Sequence, residues 1–280
     1  MRTNHSSAFL LLPAAAIFTL IFAGPLIFFF IVSFWRKDGF ALVPDLTFSN
    51  YLTVLMEYGW PLVFTFGIAF VVTVLTIGFA FMLAYVIRFK AGRYSLHLLF
   101  LVLITLFGGY LAKVYVWKTI LGQTGILNTA LLMLGVIEVP IRAFLFNPVA
   151  VVVTLTHYLL PLAVLPIYGS LRAIDDAPIQ SARDLGASPW RCFYDIILPQ
   201  CSVGLFVAFA LTFLFVAGDW VTPKLVGGPY TSMIGTFIEY QYGSRFNQPL
   251  GSAMAFTVIA LSTAIILVVA VAGRAAMRVR

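Results

Sequence analysis

The chain has 280 residues, of which 62% are hydrophobic and only 10% are charged, and its net charge is +7. A soluble domain needs about 25% charged residues to cover its surface, and a disordered chain needs high charge with few apolar residues, so both classes are excluded. A polytopic membrane protein remains, with its basic residues held at the anionic inner leaflet rather than on nucleic acid.

Six apolar stretches follow one another along the chain, and each is long enough for a transmembrane helix, which needs about 20 residues. The first is too long for a signal peptide and ends in aromatic residues, without a small-residue cleavage pattern, so we interpret it as a retained span. We therefore predict an all-α membrane protein with six transmembrane helices in a single domain, residues 1–280. The predicted spans cover approximately residues 8–35, 60–87, 96–120, 149–171, 202–221 and 250–272.

The distribution of basic residues indicates how these spans are oriented. With both termini in the cytoplasm, ten of the 17 Lys and Arg residues fall in inner segments and seven in outer segments, which agrees with the positive-inside rule. We therefore predict that the N- and C-termini are cytoplasmic. Two outer segments, residues 122–148 and 222–247, each contain a predicted short helix, over 126–136 and 233–242, and are long enough to meet a partner.

The inner loop of residues 172–200, which we call the corner segment, carries strong local signals for two short helices. Asp175 or Asp176 can cap the first helix, whose early position is Pro178, and Gly186 can end it in a left-handed conformation. The predicted apolar face of this helix has residues spaced three apart, namely Ile179, Ala182 and Leu185.

The second helix of the corner segment restarts at Ser188-Pro189, with the serine as its cap and the proline at its first position. Arg191 can pair with Asp195 one turn later. The predicted apolar stripe of this helix consists of Trp190, Phe193 and Ile197. The two helices form either an ordinary connecting loop that packs back on the bundle, or a rigid docking element, for which a short amphipathic helix is suited.

The motifs of common enzymes do not occur. There is no Gly-x-x-x-x-Gly-Lys-Ser/Thr phosphate loop, no lysine follows a glycine, and His-Glu-x-x-His and Gly-x-Ser-x-Gly are absent. We predict no catalytic residue, cofactor or metal site, and therefore no enzyme. Cys192 and Cys201 have neither metal nor redox spacing and are interpreted as reduced structural thiols. His157, inside the fourth span, is predicted to be neutral and hydrogen-bonded.

An acidic residue inside a span can mark the path of a solute, and Asp219 lies near the outer end of the fifth span. In one interpretation it contacts a cationic solute beside the rings of aromatic neighbours. In the other it caps local backbone, or pairs with Lys113 or Lys224. The candidate residues for a translocation path are Tyr110, Lys113, Tyr115, Asp219 and Trp220.

The corner segment resembles the EAA loop of the inner-membrane permease subunits of ATP-binding-cassette importers. That pattern is Glu-Ala-Ala, three residues, Gly, nine residues, Ile, one residue, Leu-Pro. The matching residues, in register, are Gln180-Ser181-Ala182, Gly186, Ile196 and Leu198-Pro199, with Gln180 in place of Glu and Ser181 in place of Ala. The resemblance implies that the first helix and the corner dock in a groove of a cytoplasmic ATPase subunit. The residues expected to couple are Asp176, Gln180, Ser181, Ala182, Arg183, Asp184, Leu185, Gly186, Ala187 and Ser188.

The resemblance extends over most of the chain, and it is to the spermidine/putrescine branch of these permeases. It is carried by residues 110–128, 158–166 and 218–228, although that branch usually has Arg where Lys113 stands and a Pro-aromatic pair where this chain has Phe107-Gly108-Gly109. It implies a type I importer permease bundle in the bacterial inner membrane that carries a polyamine or a related small solute. The implied partners are two cytoplasmic ATP-binding subunits, a second permease that is a related chain rather than a copy, a periplasmic solute-binding protein and membrane lipid.

An ion-gradient-driven secondary transporter or channel, working without an ATPase, is the alternative. Inverted repeats or intramembrane carboxylates would support it, and the sequence shows neither clearly.

Overall fold

The computed structural model describes residues 13, 16–39 and 41–278. Within this part the regular secondary structure is helical, apart from one antiparallel hairpin of two three-residue strands. The strands are β1 Arg36–Asp38 and β2 Ala41–Val43. The helices are α1 Ala16–Val32, α2 Ser49–Glu57, α3 Gly59–Phe89, α4 Gly92–Phe107, α5 Tyr110–Leu121, α6 Ile126–Met133, α7 Pro148–Arg172, α8 Asp176–Asp184, α9 Pro189–Gln200, α10 Ser202–Ala217, α11 Ile234–Gly243 and α12 Gln248–Arg278.

Three helices are long and apolar enough to cross a membrane without a break. They are α3, α7 and the Gln248–Gly273 part of α12. Their positions match the predicted spans 60–87, 149–171 and 250–272. The two predicted short helices of the outer segments are confirmed as well, as α6 and α11.

One predicted span, 96–120, is bent, and a second bend lies at the start of another, 202–221. The helical stretch Gly92–Phe107 meets Tyr110–Met133 at 96°, and Pro189–Gln200 meets Ser202–Ala217 at 63°. The first bend follows from Gly108 and Gly109, whose ψ angles of 126° and 137° are extended, because glycine is a poor helix former. Apolar composition continues through the bend at Gly108-Gly109, so composition alone did not reveal it. The second bend lies between the predicted second helix of the corner segment and the predicted span 202–221.

The count of six spans is therefore not reached in the described residues by length and composition. Three helices qualify, or five when each bent pair is taken as one span. The helix α1 is a shorter apolar helix inside the predicted first span; residues 8–12 and 14–15 of that span lie outside the described part.

The chain divides into two compact units, the first formed by residues 1–59 and 237–259. In this unit the amide of Asn50 donates to the carbonyls of Ser33 and Trp35, at 2.9 and 2.8 Å, and holds α2 to the end of α1. The Lys37 ammonium donates to the carbonyl of Arg245 at 2.5 Å. The hairpin was not predicted, because strands of three residues leave too short an alternating pattern to recognise.

The second unit contains residues 60–236 and 260–280. Its core forms where α3, α7 and α10 pack with the corner segment, through small and branched apolar residues. These include Ala80, Ala84, Ala163, Val164, Ile167, Leu171, Ile174, Ile179, Cys192, Ile197, Cys201 and Ala208. Helices α7 and α10 approach closely at Gly204, where a Cβ atom would lie 2.4 Å from the carbonyl oxygen of Pro166.

Candidate functional site

The first helix of the corner segment, α8, ends in a Schellman motif, as its sequence predicts. Gly186 has φ = +86°. Its N–H donates to the carbonyl of Arg183 at 2.8 Å, and the N–H of Ala187 donates to the carbonyl of Ala182 at 2.9 Å. These two bonds satisfy carbonyls that a helix end otherwise leaves open, so the turn between the two helices has a fixed geometry.

The second helix, α9, starts at the predicted cap. The Ser188 hydroxyl accepts from the N–H of Arg191 at 3.3 Å, and Pro189 occupies the first turn. The predicted Arg191–Asp195 ion pair forms, at 3.5 Å. A π turn over Phe193–Ile197 then leads towards α10, so the corner segment is helical nearly throughout.

Three buried residues anchor the corner segment in the core of the second unit. Ile179 is 6% exposed, Cys192 2% and Ile197 4%, and all three belong to the apolar cluster that includes α3, α7 and α10. Both cysteines of the chain are buried with free thiols, as predicted. The segment is therefore a packed part of the unit and not a loose connection.

An ion pair that the sequence analysis missed adds to this anchoring. The guanidinium of Arg88, in the last turn of α3, donates to the Asp176 carboxylate at 2.9 Å and to the carbonyl of Ile174 at 3.1 Å. Asp176 therefore contacts α3, and Asp175 is the N-cap residue of α8, without a side-chain capping bond. No local sequence pattern predicts a contact between Arg88 and Asp176, because they are far apart in sequence.

The apolar faces predicted for the two helices need a correction at one residue each. Leu185 is 89% exposed and Trp190 is 70% exposed. Leu185 is the C-cap residue, with φ = −82° and ψ = 6°, and lies where the chain already leaves the helix. Cys192, rather than Trp190, takes the buried position, and the Trp190 ring stacks on Tyr194 at 6.0 Å.

Of the ten residues expected to couple to an ATPase, eight are exposed and two are half-buried. The half-buried residues are Ala182 and Ala187, at the Schellman bond. The exposed ones are Asp176, Gln180, Ser181, Arg183, Asp184, Leu185, Gly186 and Ser188. Most of these residues therefore lie at the surface of the corner segment.

A second group of polar and aromatic residues surrounds the 96° bend of the third span. The Tyr110 hydroxyl donates to Oδ1 of Asp219 at 2.6 Å and lies 2.7 Å from the Thr222 hydroxyl. The Tyr110 ring lies 4.8 Å from that of Tyr158. Tyr110 begins the helix after the bend, so this group joins the bend to the end of the fifth span.

Asp219 itself is 6% exposed, and its contacts match the capping alternative. Its Oδ1 accepts from the backbone N–H groups of Val221 and Thr222, at 3.0 and 3.4 Å, in addition to the Tyr110 hydroxyl. Its Oδ2 is buried and finds no hydrogen-bond partner among the described residues. Lys113 is turned elsewhere: its ammonium donates to the carbonyl of Thr105.

The remaining two path candidates lie beside lysines of this chain. The Tyr115 ring is 54% exposed, with the Lys118 ammonium 5.9 Å from its centroid. Trp220 is 40% exposed, with the Lys224 ammonium at 5.2 Å. The structure therefore brings Tyr110 and Asp219 into direct contact. The rings of Tyr115 and Trp220 instead each lie beside a lysine ammonium of this chain.

His157 is hydrogen-bonded inside α7. Its Nδ1 accepts from the indole N–H of Trp117 at 3.1 Å, which requires that nitrogen to be unprotonated and fits the predicted neutral histidine. Across the described part of the chain, no three His, Cys, Asp or Glu residues are placed so that they hold a metal ion.

Comparisons with known proteins identify the family. The family described as "Binding-protein-dependent transport system inner membrane component" matches residues 95–280. The spermidine/putrescine transport system permease protein PotB of Haemophilus influenzae is 32% identical over 243 residues, which cover 85% of this chain and 83% of that protein. PotB of Escherichia coli K12 is 32% identical over 227 residues, which cover 80% and 82%.

Solved structures share the fold. A bacterial ABC transporter involved in the import of the acidic polysaccharide alginate matches with a TM-score of 0.78, at 16% identity, over 95% of this chain and 94% of that chain. An inward-facing form of the MetNI methionine ABC transporter matches with a TM-score of 0.51 at 19% identity, over 81% and 96%. The chain therefore belongs to the family of inner-membrane components of binding-protein-dependent transport systems, as a multi-pass permease subunit of an ATP-binding-cassette importer.

Proposed function

We propose that this permease subunit imports a polyamine such as spermidine or putrescine, delivered by a periplasmic binding protein. The solute class rests on the PotB relatives, which are 32% identical over most of both chains. A neighbour in fold was solved in complex with an alginate-bound periplasmic protein, which supports delivery by a protein of that kind. A second permease, a related chain rather than a copy, completes the pathway in this proposal.

Two cytoplasmic ATP-binding subunits hydrolyse the ATP that drives transport. The corner segment of this permease docks on one of them. The observation that carries this proposal is Leu185, a large apolar side chain left 89% exposed on a corner of fixed geometry. An apolar anchor on a rigid short helix suits binding in a groove of a partner. The ten residues expected to couple surround this anchor, so we assign them to the docking surface.

The same segment has the connections needed to transmit motion. Ile179 and Cys192 hold it in a core shared with α7 and α10, and Arg88 holds it to α3. Closely packed interiors move as blocks because they are not freely deformable. When the ATPase subunits close, the corner segment therefore moves these three helices together and reorients the path.

The orientation of the chain and the position of the path follow from this assignment. A corner segment in contact with an ATPase lies in the cytoplasm, and in a six-span single domain both termini lie there too. Discontinuous helices commonly form transport sites, so we place the path at the bend of the third span, along Tyr110 and Lys113. Asp219 positions Tyr110 there, and we keep Tyr115 and Trp220, whose rings are exposed, as further path residues.

Docking is tested by purifying the wild-type complex and a Leu185→Ser variant from native membranes and quantifying every co-purified chain. Leu185 buries little in the permease, so the variant folds normally, and we expect recovery of the ATPase to fall about tenfold, for the loss of a contact worth about 1.4 kcal/mol. Leu134→Ser is the matched control, since Leu134 is 75% exposed in a predicted outer segment. Equal ATPase recovery in all three samples contradicts the docking surface.

The solute and the energy source are tested by uptake of radiolabelled spermidine and putrescine into cells with and without this chain. We expect uptake that requires the chain and stops when ATP is depleted. An importer that carries neither compound contradicts the polyamine assignment alone. A permease that purifies without any ATPase, and whose uptake follows an ion gradient, favours the ion-driven alternative.

A further inference from the structure

The ammonium of Lys113 is held by groups that suit any primary ammonium. It donates a hydrogen bond to the carbonyl of Thr105 and lies 5.1 Å from the centroid of the Tyr158 ring. The aliphatic part of the side chain crosses Gly108, where a Cβ atom would lie 3.1 Å from the Lys113 Cε atom. A carbonyl oxygen and an aromatic face together attract a cation that carries N–H donors.

The bend of the third span makes these groups available. Helix α4 finishes in a 3₁₀ turn at Thr105–Phe107, and Gly108 is extended. The carbonyls of the last turn therefore lack the partners that a continuing helix would supply, and a helix end concentrates partial negative charge on them. The N–H of Gly108 donates to the Thr105 carbonyl at a long 3.4 Å.

The aromatic part of the site is fixed from the other side. The Tyr158 ring packs on Tyr110 at 4.8 Å and on Phe215 at 5.2 Å. The Tyr110 hydroxyl is in turn bonded to Asp219. Lys113 and Tyr158 are both half-buried, so the site is partly shielded from solvent yet open enough to exchange its cation.

We propose that the Thr105 carbonyl and the Tyr158 ring form a primary-ammonium site, and that Lys113 fills it as a tethered competitor which a solute ammonium displaces during transport. This deepens the proposed function and rests on a cationic solute. A tethered group acts at an effective concentration near the millimolar range. Its competition keeps the solute weakly bound, and weak binding favours passage over trapping.

The proposal is tested by direct binding of tritiated spermidine to the purified permease–ATPase complex without its binding protein, so that the binding protein does not set the affinity. Lys113→Met removes the competitor and leaves the carbonyl and the ring in place. We expect its dissociation constant to fall at least about threefold relative to wild type, while Lys113→Arg, which keeps a cation, stays near the wild-type value. An unchanged or raised dissociation constant in Lys113→Met overturns the proposal.

The matched control is Lys118→Met, because Lys118 also lies over a tyrosine ring but outside the bend. We expect no change in affinity for this variant. If Lys113→Met does not assemble, Tyr158→Leu and Tyr158→Phe decide: a weaker affinity in the leucine variant alone supports the site, and equal affinities overturn it.

Failure of the inference is distinguishable from failure of the proposed function. In one outcome, the Lys113 and Tyr158 variants leave spermidine binding unchanged while cells still take up polyamine normally. That outcome contradicts the ammonium site and leaves the proposal of a polyamine importer intact. Absence of polyamine uptake in wild-type cells removes both.

Discussion

The guanidinium of Arg88 lies 2.9 Å from the carboxylate of Asp176 and joins the last turn of α3 to the first residue of α8. Each partner also suits its helix end, because a cation stabilises a C-terminus and an anion an N-terminus. The same guanidinium binds the carbonyl of Ile174. The corner segment is thus connected to α3 by two hydrogen bonds from one side chain, in addition to its apolar anchors.

Replacing Arg88 with Gln tests whether this connection transmits motion. The Arg88 side chain is 22% exposed and that of Asp176 57%, so we expect a loss of about 0.5–1 kcal/mol in stability, as for other partly exposed pairs. We expect the effect on transport to be larger than the effect on assembly. The measurement is solute uptake per ATP hydrolysed in proteoliposomes, which should fall while ATPase recovery stays near the wild-type value.

The Arg191–Asp195 pair supplies the matched control for that experiment. It lies within one helix, at 3.5 Å, with side chains 76% and 56% exposed. Arg191→Gln should leave uptake per ATP unchanged. If the two variants behave alike, the Arg88–Asp176 contact has no part in coupling.

Gly186→Ala tests the corner itself. Nothing lies within 4 Å of a Cβ atom there, but φ is +86°, so the cost is in the backbone and amounts to about 1–2 kcal/mol. We expect the Gly186→Ala permease to melt at a lower temperature than wild type and to recover less ATPase. Gly186→Asn should show smaller losses of both, because asparagine tolerates this conformation.

Gly78→Ala is the control for Gly186→Ala. Gly78 lies inside α3, also with nothing within 4 Å of its Cβ position, and without a positive φ. Alanine there should stabilise the helix by about 0.5–1 kcal/mol. Equal melting temperatures for the two alanine variants would show that the corner does not need its left-handed residue.

The parts of the structure that were predictable from sequence rest on local signals. Gly186 and Ser188 specify the ends of two helices through residues three to five positions away, and the structure confirms both. The long apolar helices follow from composition. Spacing of three predicts Leu185 on the buried face, and it is wrong there because spacing does not show where a helix begins to unwind.

The contacts that sequence reasoning missed are those between distant segments. Arg88–Asp176 and Tyr110–Asp219 join residues 88 and 109 positions apart, and no periodicity within one element encodes such a pair. The bend at Gly108-Gly109 did leave a signal, since two adjacent glycines interrupt an apolar run. Uniform hydropathy across the bend concealed its effect, because a hydropathy window measures composition and not backbone geometry.

Gly204→Ala tests the close packing of α7 and α10. An added Cβ atom would lie 2.4 Å from the Pro166 carbonyl oxygen and 2.5 Å from the Ser170 hydroxyl oxygen. The Pro166 oxygen belongs to the backbone, so it cannot move aside by a side-chain rotation. We expect a loss of about 1–3 kcal/mol, as for other overpacked interiors, seen as a lower melting temperature in detergent. Gly169→Ala, which meets nothing within 4 Å, should melt at or above the wild-type temperature. A Gly204→Ala protein that melts with wild type would show that the two helices separate without cost.

Asp219→Asn separates a structural from an electrostatic role of this buried residue. Asparagine keeps the oxygen that accepts from Tyr110, Val221 and Thr222, and places an amide where Oδ2 has no partner, at a cost of about 1–3 kcal/mol for the buried donor. If the carboxylate only positions Tyr110 and caps local backbone, spermidine uptake per permease molecule keeps its wild-type kinetics. Asp219→Leu removes the acceptor for three donors and should lower the amount of permease in the membrane severalfold. An asparagine variant present in normal amounts but inactive would instead give the negative charge a part in transport, because the hydrogen bonds accepted by Oδ1 are kept in that variant.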